Sequence, residues 1–88
     1  MPELSRFRGI VIKMLYSDFG KHSRPHVHVY YGEYEASVSL EGELLAGSLP
    51  ARQFKMLVGW LALHEEELYD AWARAAVGQD PGMIVPLR

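Results

Sequence analysis

Residues 26–41, HVHVYYGEYEASVSLE, decide the fold, because two alternating runs flank a Gly-Glu pair. Successive side chains of a strand point to opposite faces. Val27, Val29 and Tyr31 therefore share one face, and His26, His28 and Tyr30 share the other. The second run repeats the pattern, with Ala36, Val38 and Leu40 apolar and Glu35, Ser37, Ser39 and Glu41 polar. Gly32-Glu33 suits a two-residue turn that begins with glycine. Folding about it pairs Tyr31 with Tyr34, Val29 with Ala36 and Val27 with Val38, and sets His28 opposite Ser37 and His26 opposite Ser39. The aliphatic residues then fall on one face, and a slip by one residue would undo that segregation.

Outward from this hairpin, RGIVIKMLY (residues 8–16) is rich in β-branched residues and predicts a strand. Ile10, Ile12, Met14 and Tyr16 lie on one side of it, Val11, Lys13 and Leu15 on the other. SDFGKHSRP (residues 17–25) is the most polar loop of the chain, broken by Gly20 and Pro25. Downstream, Glu41-Gly42 predicts a second turn into a short strand near Glu43–Gly47, with Leu45 joining Val38 on the buried face. The first half thus reads as an antiparallel meander of three to four strands with one face to be covered.

PARQFKMLVGWLALHEEELYDAWARAAV, residues 50–77, supplies the cover. Phe54, Leu57, Leu61, His64, Leu68, Trp72 and Ala75 recur at three- and four-residue intervals and define an apolar stripe. Pro50 suits the first turn and Gly78 the position past the end, which predicts one long helix of about 42 Å. Gly59 is its candidate bend. His64, on the stripe between Leu61 and Leu68, is expected to pack against the sheet with one nitrogen hydrogen-bonded. Trp60 and Tyr69 fall off the seam, where exposure would mark a partner surface or a homodimer contact. Asp80-Pro81-Gly82 is a turn, and MIVPL (residues 83–87) a short final strand that lies at a sheet edge or packs without full pairing, since Pro86 has no amide hydrogen. The expected class is α+β.

At 88 residues the chain is expected to form a single domain over 1–88, and 49% apolar against 23% charged residues marks it as globular. No apolar run reaches the ~18 residues of a membrane span, and MPELSRFRG carries no signal-like apolar core, so the expectation is a cytoplasmic protein without a membrane partner. Cysteine is absent, so any metal would be held by His and carboxylates. The net charge of −2 conceals an asymmetry. Residues 1–31 hold five basic residues (Arg6, Arg8, Lys13, Lys21, Arg24) against Glu3 and Asp18, while residues 32–88 hold nine acidic against four basic. The basic part also holds three of the four histidines, a combination that suits a phosphate or RNA backbone. Mutual neutralisation of the two halves in the fold accounts for the asymmetry equally well.

Two histidines at i and i+2 on one strand point the same way. With His22 from the preceding loop they form a three-nitrogen set, as a zinc or other divalent site with an open fourth position requires, and Asp18 could orient one ring. The same face also works with no cofactor. Imidazoles titrate near pH 6.5 and serve as general base and general acid. His26 and His28 would be the catalytic pair, Lys21 and Arg24, or Lys13, the phosphate contacts, and Tyr30 a stacking platform for a base. Such a set describes a metal-independent ribonuclease. The plain alternative is that His26, His28 and Tyr30 are the solvent side of a half-buried strand.

The sequence resembles the small bacterial family catalogued as domain of unknown function 4160. The likeness runs through GIVIKM, RPHVHVYYGEYEASV and GELLAGSLPAR, a helix carrying Trp, His, Glu-Leu and Trp, and a final IVPL. Pro-His-x-His-Val followed by Tyr-Gly is its specific part. The family commonly carries Asp-His-x-Pro-Pro-His in the loop, where this chain has Asp18, His22 and the single Pro25. Members are often encoded beside a second small protein, of the family catalogued as domain of unknown function 2442, in a toxin–antitoxin-like arrangement. The resemblance therefore implies a toxin-like component with a small cognate protein partner and RNA as a target; a further reading, from the residues, is a non-catalytic interaction module whose exposed aromatics hold a partner.

Overall fold

The computed structural model describes residues 3–14 and 24–87. Five strands, β1 (Glu3–Phe7), β2 (Ile10–Lys13), β3 (His26–Tyr31), β4 (Tyr34–Ser39) and β5 (Leu44–Gly47), form one antiparallel sheet in chain order. Two helices follow, α1 (Ala51–Leu63) and α2 (Glu65–Ala76). The α+β class and the meander hold, with one strand more and one helix more than expected.

The central hairpin has the register that alternation demands: Tyr31 faces Tyr34, Val29 faces Ala36, Val27 faces Val38, His28 faces Ser37 and His26 faces Ser39. Gly32 sits at φ +55°, as the first position of such a turn requires. The additional strand is β1, which turns through Arg8-Gly9 and pairs Phe7 with Ile10 and Ser5 with Ile12. ELSRF has no clean alternation because a bulge between Glu3 and Ser5 shifts its register.

Ile10, Ile12, Val27, Val29 and Val38 are fully buried on one sheet face beneath Leu57, Trp60, Leu61 and Leu68. Trp60, off the main seam, is a core residue and not an exposed partner surface: it is 0% exposed, tilts against Phe7 at 5.6 Å, and donates its indole N–H to Val85 O at 2.9 Å. Leu45 departs from expectation. Leu44 and Leu45 together oppose Val38 across a bulge, and both stay exposed on β5, an edge strand of the sheet.

A continuous helix of about 42 Å would exceed the molecule's longest Cα dimension of 33 Å. The chain breaks at His64 (φ −117°, ψ 28°), not at Gly59. Glu65, Glu66 and Glu67 occupy the first turn of α2, where carboxylates complement the positive end of the helix dipole, so the acidic run restarts the helix. Helix α2 ends where Gly78 N bonds Ala75 O and Gln79 N bonds Arg74 O, the paired closure of a Schellman motif. The last segment is not a strand. It is laid along β1 by a bond from Ile84 N to Leu4 O, and held on the helix side by Arg74 to Pro81 O and by the Trp60 indole.

Candidate functional site

The face of the sheet away from the core carries two rows of side chains across neighbouring strands. One row runs Lys13, His28, Ser37, Ala46, and the next runs Val11, Tyr30, Glu35. Both rows follow from a period of two in β2, β3 and β4 with the valines committed to the core. Lys13 of β2 therefore stands directly beside His28 of β3, with its ammonium 5.3 Å from the centre of the Tyr30 ring. Tyr30 is thus a cation–π partner of Lys13 as well as an aromatic surface.

The histidine pair closes at the start of β3. The His26 and His28 rings lie 5.0 Å apart, nearly edge to face. His26 Nδ1 donates to Arg24 O at 2.8 Å, which fixes the neutral ring as the Nδ1–H tautomer and directs its basic lone pair to Nε2. His26 is not on the solvent side: it is 9% exposed and its ring packs 5.3 Å from Trp72 of α2. His28 is half-buried. The outer sheet face is therefore half-buried over Lys13, His28, Tyr30 and Ser37, with the His28 Nε2 atom itself buried, and sealed at its His26 end.

Arg24 is engaged as well. Its guanidinium forks to Glu43 at 2.8 Å and Glu41 at 2.7 Å. The Glu43 carboxylate first, then that of Glu41, holds the Arg24 pKa above its ordinary value. A phosphate at Arg24 would have to displace or share these carboxylates. Lys21, His22 and Asp18 lie outside the described residues, so the expected loop contacts and the third nitrogen of the metal set fall there. Among the described residues, no group of three His, Asp or Glu side chains is placed to hold a metal ion.

His64 has one ring nitrogen hydrogen-bonded, as expected. Its Nδ1 meets Glu67 Oε1 at 2.6 Å, and its ring rests 5.4 Å from Trp60 at the break between the helices. The residue that sequence reading underweighted is Lys13, named only as one of three possible cations. Its adjacency to His28 depends on the β2–β3 register between strands well separated in sequence, which alternation within a strand does not determine.

Among the described residues, no helix is long and apolar enough to cross a membrane. The family model described as Domain of unknown function (DUF4160) matches residues 9–73, from the first turn through Ala73 of α2. The chain belongs to that family. No curated protein and no solved structure matches it.

Proposed function

We propose that this member of the family is the toxin-like component of a two-protein module and that it cleaves RNA on the outer face of its sheet. The observation that carries the reading is the juxtaposition of two imidazoles 5.0 Å apart with an ammonium in register beside one of them. In RNA the nucleophile is the substrate's own 2′-hydroxyl, so the protein need supply only proton transfer and charge stabilisation. His28, the less buried of the pair, takes the 2′-hydroxyl proton as the 2′-oxygen attacks phosphorus. The bond from phosphorus to the 5′-oxygen breaks, and His26 protonates that leaving oxygen to give a 2′,3′-cyclic phosphate and a free 5′-hydroxyl. Lys13 meets the charge that builds on the phosphoryl oxygens. It takes this role in place of Arg24, whose fork to Glu41 and Glu43 already satisfies it.

The test is hydrolysis of a short RNA and of its 2′-deoxy counterpart, in chelator, by the wild type and by His28→Ala, His26→Ala and Lys13→Ala. Expected are cleavage of the RNA alone, cyclic-phosphate ends, a bell-shaped pH profile, and losses of roughly 10²-fold or more for each variant. Equal rates in wild type and His28→Ala would end the proposal. Activity that vanishes in chelator would favour the metal reading with His22, His26 and His28. In cells, induced wild type should arrest growth while His26→Ala/His28→Ala at matched soluble level should not.

A further inference from the structure

The row that begins at Lys13 and His28 ends at a cleft. Ser37, Ala46, Gly47, Glu35 and Ala36 line a shallow hollow of about 280 Å³ over β4 and β5. It lies at the small end of ligand pockets, which start near ~300 Å³, and so suits a single ring system better than an extended molecule. Its floor is backbone: a methyl group on Gly47 would stand 2.1 Å from Glu35 O, so only glycine lets β5 approach β4 here. Its charged residue is Glu35, exposed and facing Tyr30 in the ladder.

Strands in a sheet are about 4.8 Å apart, so Ser37 lies roughly 5 Å and Ala46 roughly 10 Å from His28 along the row. That is the reach from a phosphate to the base of the same nucleotide. The strip is also polar end to end, with a cation at Lys13 and an anion at Glu35, so a nucleotide can enter in one direction only: its phosphate is attracted by Lys13 and repelled from the cleft by Glu35.

The chemistry of Glu35 then selects the base. An ionised carboxylate only accepts hydrogen bonds, and it accepts two side by side. Guanine presents two adjacent donors on one edge, N1–H and the 2-amino group. Adenine and cytosine place an acceptor nitrogen beside their amino group, and uracil flanks its one N–H with two carbonyls, so each opposes a lone pair to the carboxylate. We infer that the cleft bounded by Glu35, Ser37, Ala46 and Gly47 is a guanine subsite, and that Glu35 makes the protein select guanine nucleotides. The inference rests on the RNA reading for the phosphate end and adds the base.

Binding of 3′-GMP and 3′-AMP to the full chain, followed by amide chemical shifts, separates the two claims without requiring turnover. Expected are saturable shifts at Glu35, Ser37, Ala46 and Gly47 with 3′-GMP, and at least tenfold weaker binding of 3′-AMP. Glu35→Gln should erase the preference while keeping the spectrum of the folded protein, and Lys13→Ala should weaken both nucleotides alike. Equal affinities, shifts confined to other residues, or a preference that survives Glu35→Gln would each overturn the guanine subsite. RNA cleavage without base preference would sink this inference and leave the ribonuclease reading standing. A guanine preference in a protein that cleaves no RNA would do the reverse.

Discussion

The β3–β4 hairpin and the C-terminal half of the chain, residues 51–87, are built on opposite principles. In the hairpin every pairing follows from its neighbours: a period of two, a two-residue turn, and valines that must be buried. In the C-terminal half the helices are held by an apolar stripe, and the segment that follows them is placed by a few single contacts. Trp60 reaches Val85 O, Arg74 reaches Pro81 O and Ile84 reaches Leu4 O. The hairpin is therefore specified redundantly, and the C-terminal wrap is specified at points. Mutations should separate the two.

The largest effect is expected at Trp60, where the wrap, α1 and β1 meet. Trp60→Ala removes a fully buried ring that tilts against Phe7 and should cost about 3–5 kcal/mol in chemical denaturation, a large share of the stability of a small domain. Trp60→Phe keeps most of the packing and removes the bond to Val85 O, for a cost near 1 kcal/mol. The hydrogen-exchange protection lost in the Phe variant should be concentrated in residues 79–87, with that of β3 and β4 unchanged. Uniform loss across the sheet would mean that the wrap and the hairpin form one cooperative unit.

Next come two glycines that test redundancy inside the sheet. Gly32→Ala meets nothing within 4 Å and carries only the strain of φ +55°, about 1–2 kcal/mol. Gly47→Ala carries similar strain at φ +75° and in addition drives its methyl group into Glu35 O. It should cost more than Gly32→Ala, release β5, and leave the β3–β4 amides in place. Equal costs would show that β5 yields freely at Gly47, and the guanine cleft would lose its floor.

This contrast also explains how far the sequence could be read. The hairpin register, the turn at Gly32 and the shared face of His26, His28 and Tyr30 were legible because each depends on local alternation. Strand β1 was not, because its bulge hides the period, nor was the break at His64, because the apolar stripe runs on through it. The stripe itself was right at Leu57, Leu61, Leu68 and Ala75, whereas Trp60 needed a partner, Val85, from a segment 25 residues away. At the site, the pairing of His26 with His28 could be foreseen. The burial of His26 under Trp72, the adjacency of Lys13 to His28 and the capture of Arg24 by Glu41 and Glu43 are tertiary facts. The packing of α2, the register between β2 and β3 and the turn after β4 reveal them in turn.

A smaller effect is expected at Arg74, which bonds Pro81 O at 2.7 Å and also pairs with Asp70 on its own helix. Arg74→Gln should cost about 1 kcal/mol. It should loosen the turn at Asp80–Gly82 while the Gly82 N to Asp80 Oδ1 bond persists. Because Pro81 is fully buried, the segment should remain docked. Complete undocking would show that the arginine, rather than the buried proline and Ile84, fixes the wrap.

The smallest effect belongs to two surface ion pairs outside the C-terminal half, one within β1 and one between Arg24 and the turn after β4. Glu3 is held below its ordinary carboxylate value, first by its hydrogen bond to Arg6 and then by the charges of Arg6 and Lys13. A depressed carboxylate stabilises the fold above its unfolded value and loses that contribution as pH falls through the folded one. Stabilisation by Glu3 should therefore be present at neutral pH and fade below the ordinary value of 4.5. Arg24 is shifted the other way, upward, with the Glu43 hydrogen bond as the main cause. Its contribution would disappear only as pH rises beyond any range in which the protein is studied, so its removal should show no pH signature of its own. Both pairs are solvent-exposed and open to screening, so melting curves of Glu3→Gln and Arg24→Ala should approach that of the wild type in high salt. At low salt, the small deficit of Glu3→Gln should close on acidification. A large deficit for Arg24→Ala, persisting in high salt, would mean that its fork to Glu41 and Glu43 braces the β4–β5 turn against the start of β3. The guanidinium would then be a structural tie at the edge of the histidine site, in line with assigning the phosphate to Lys13.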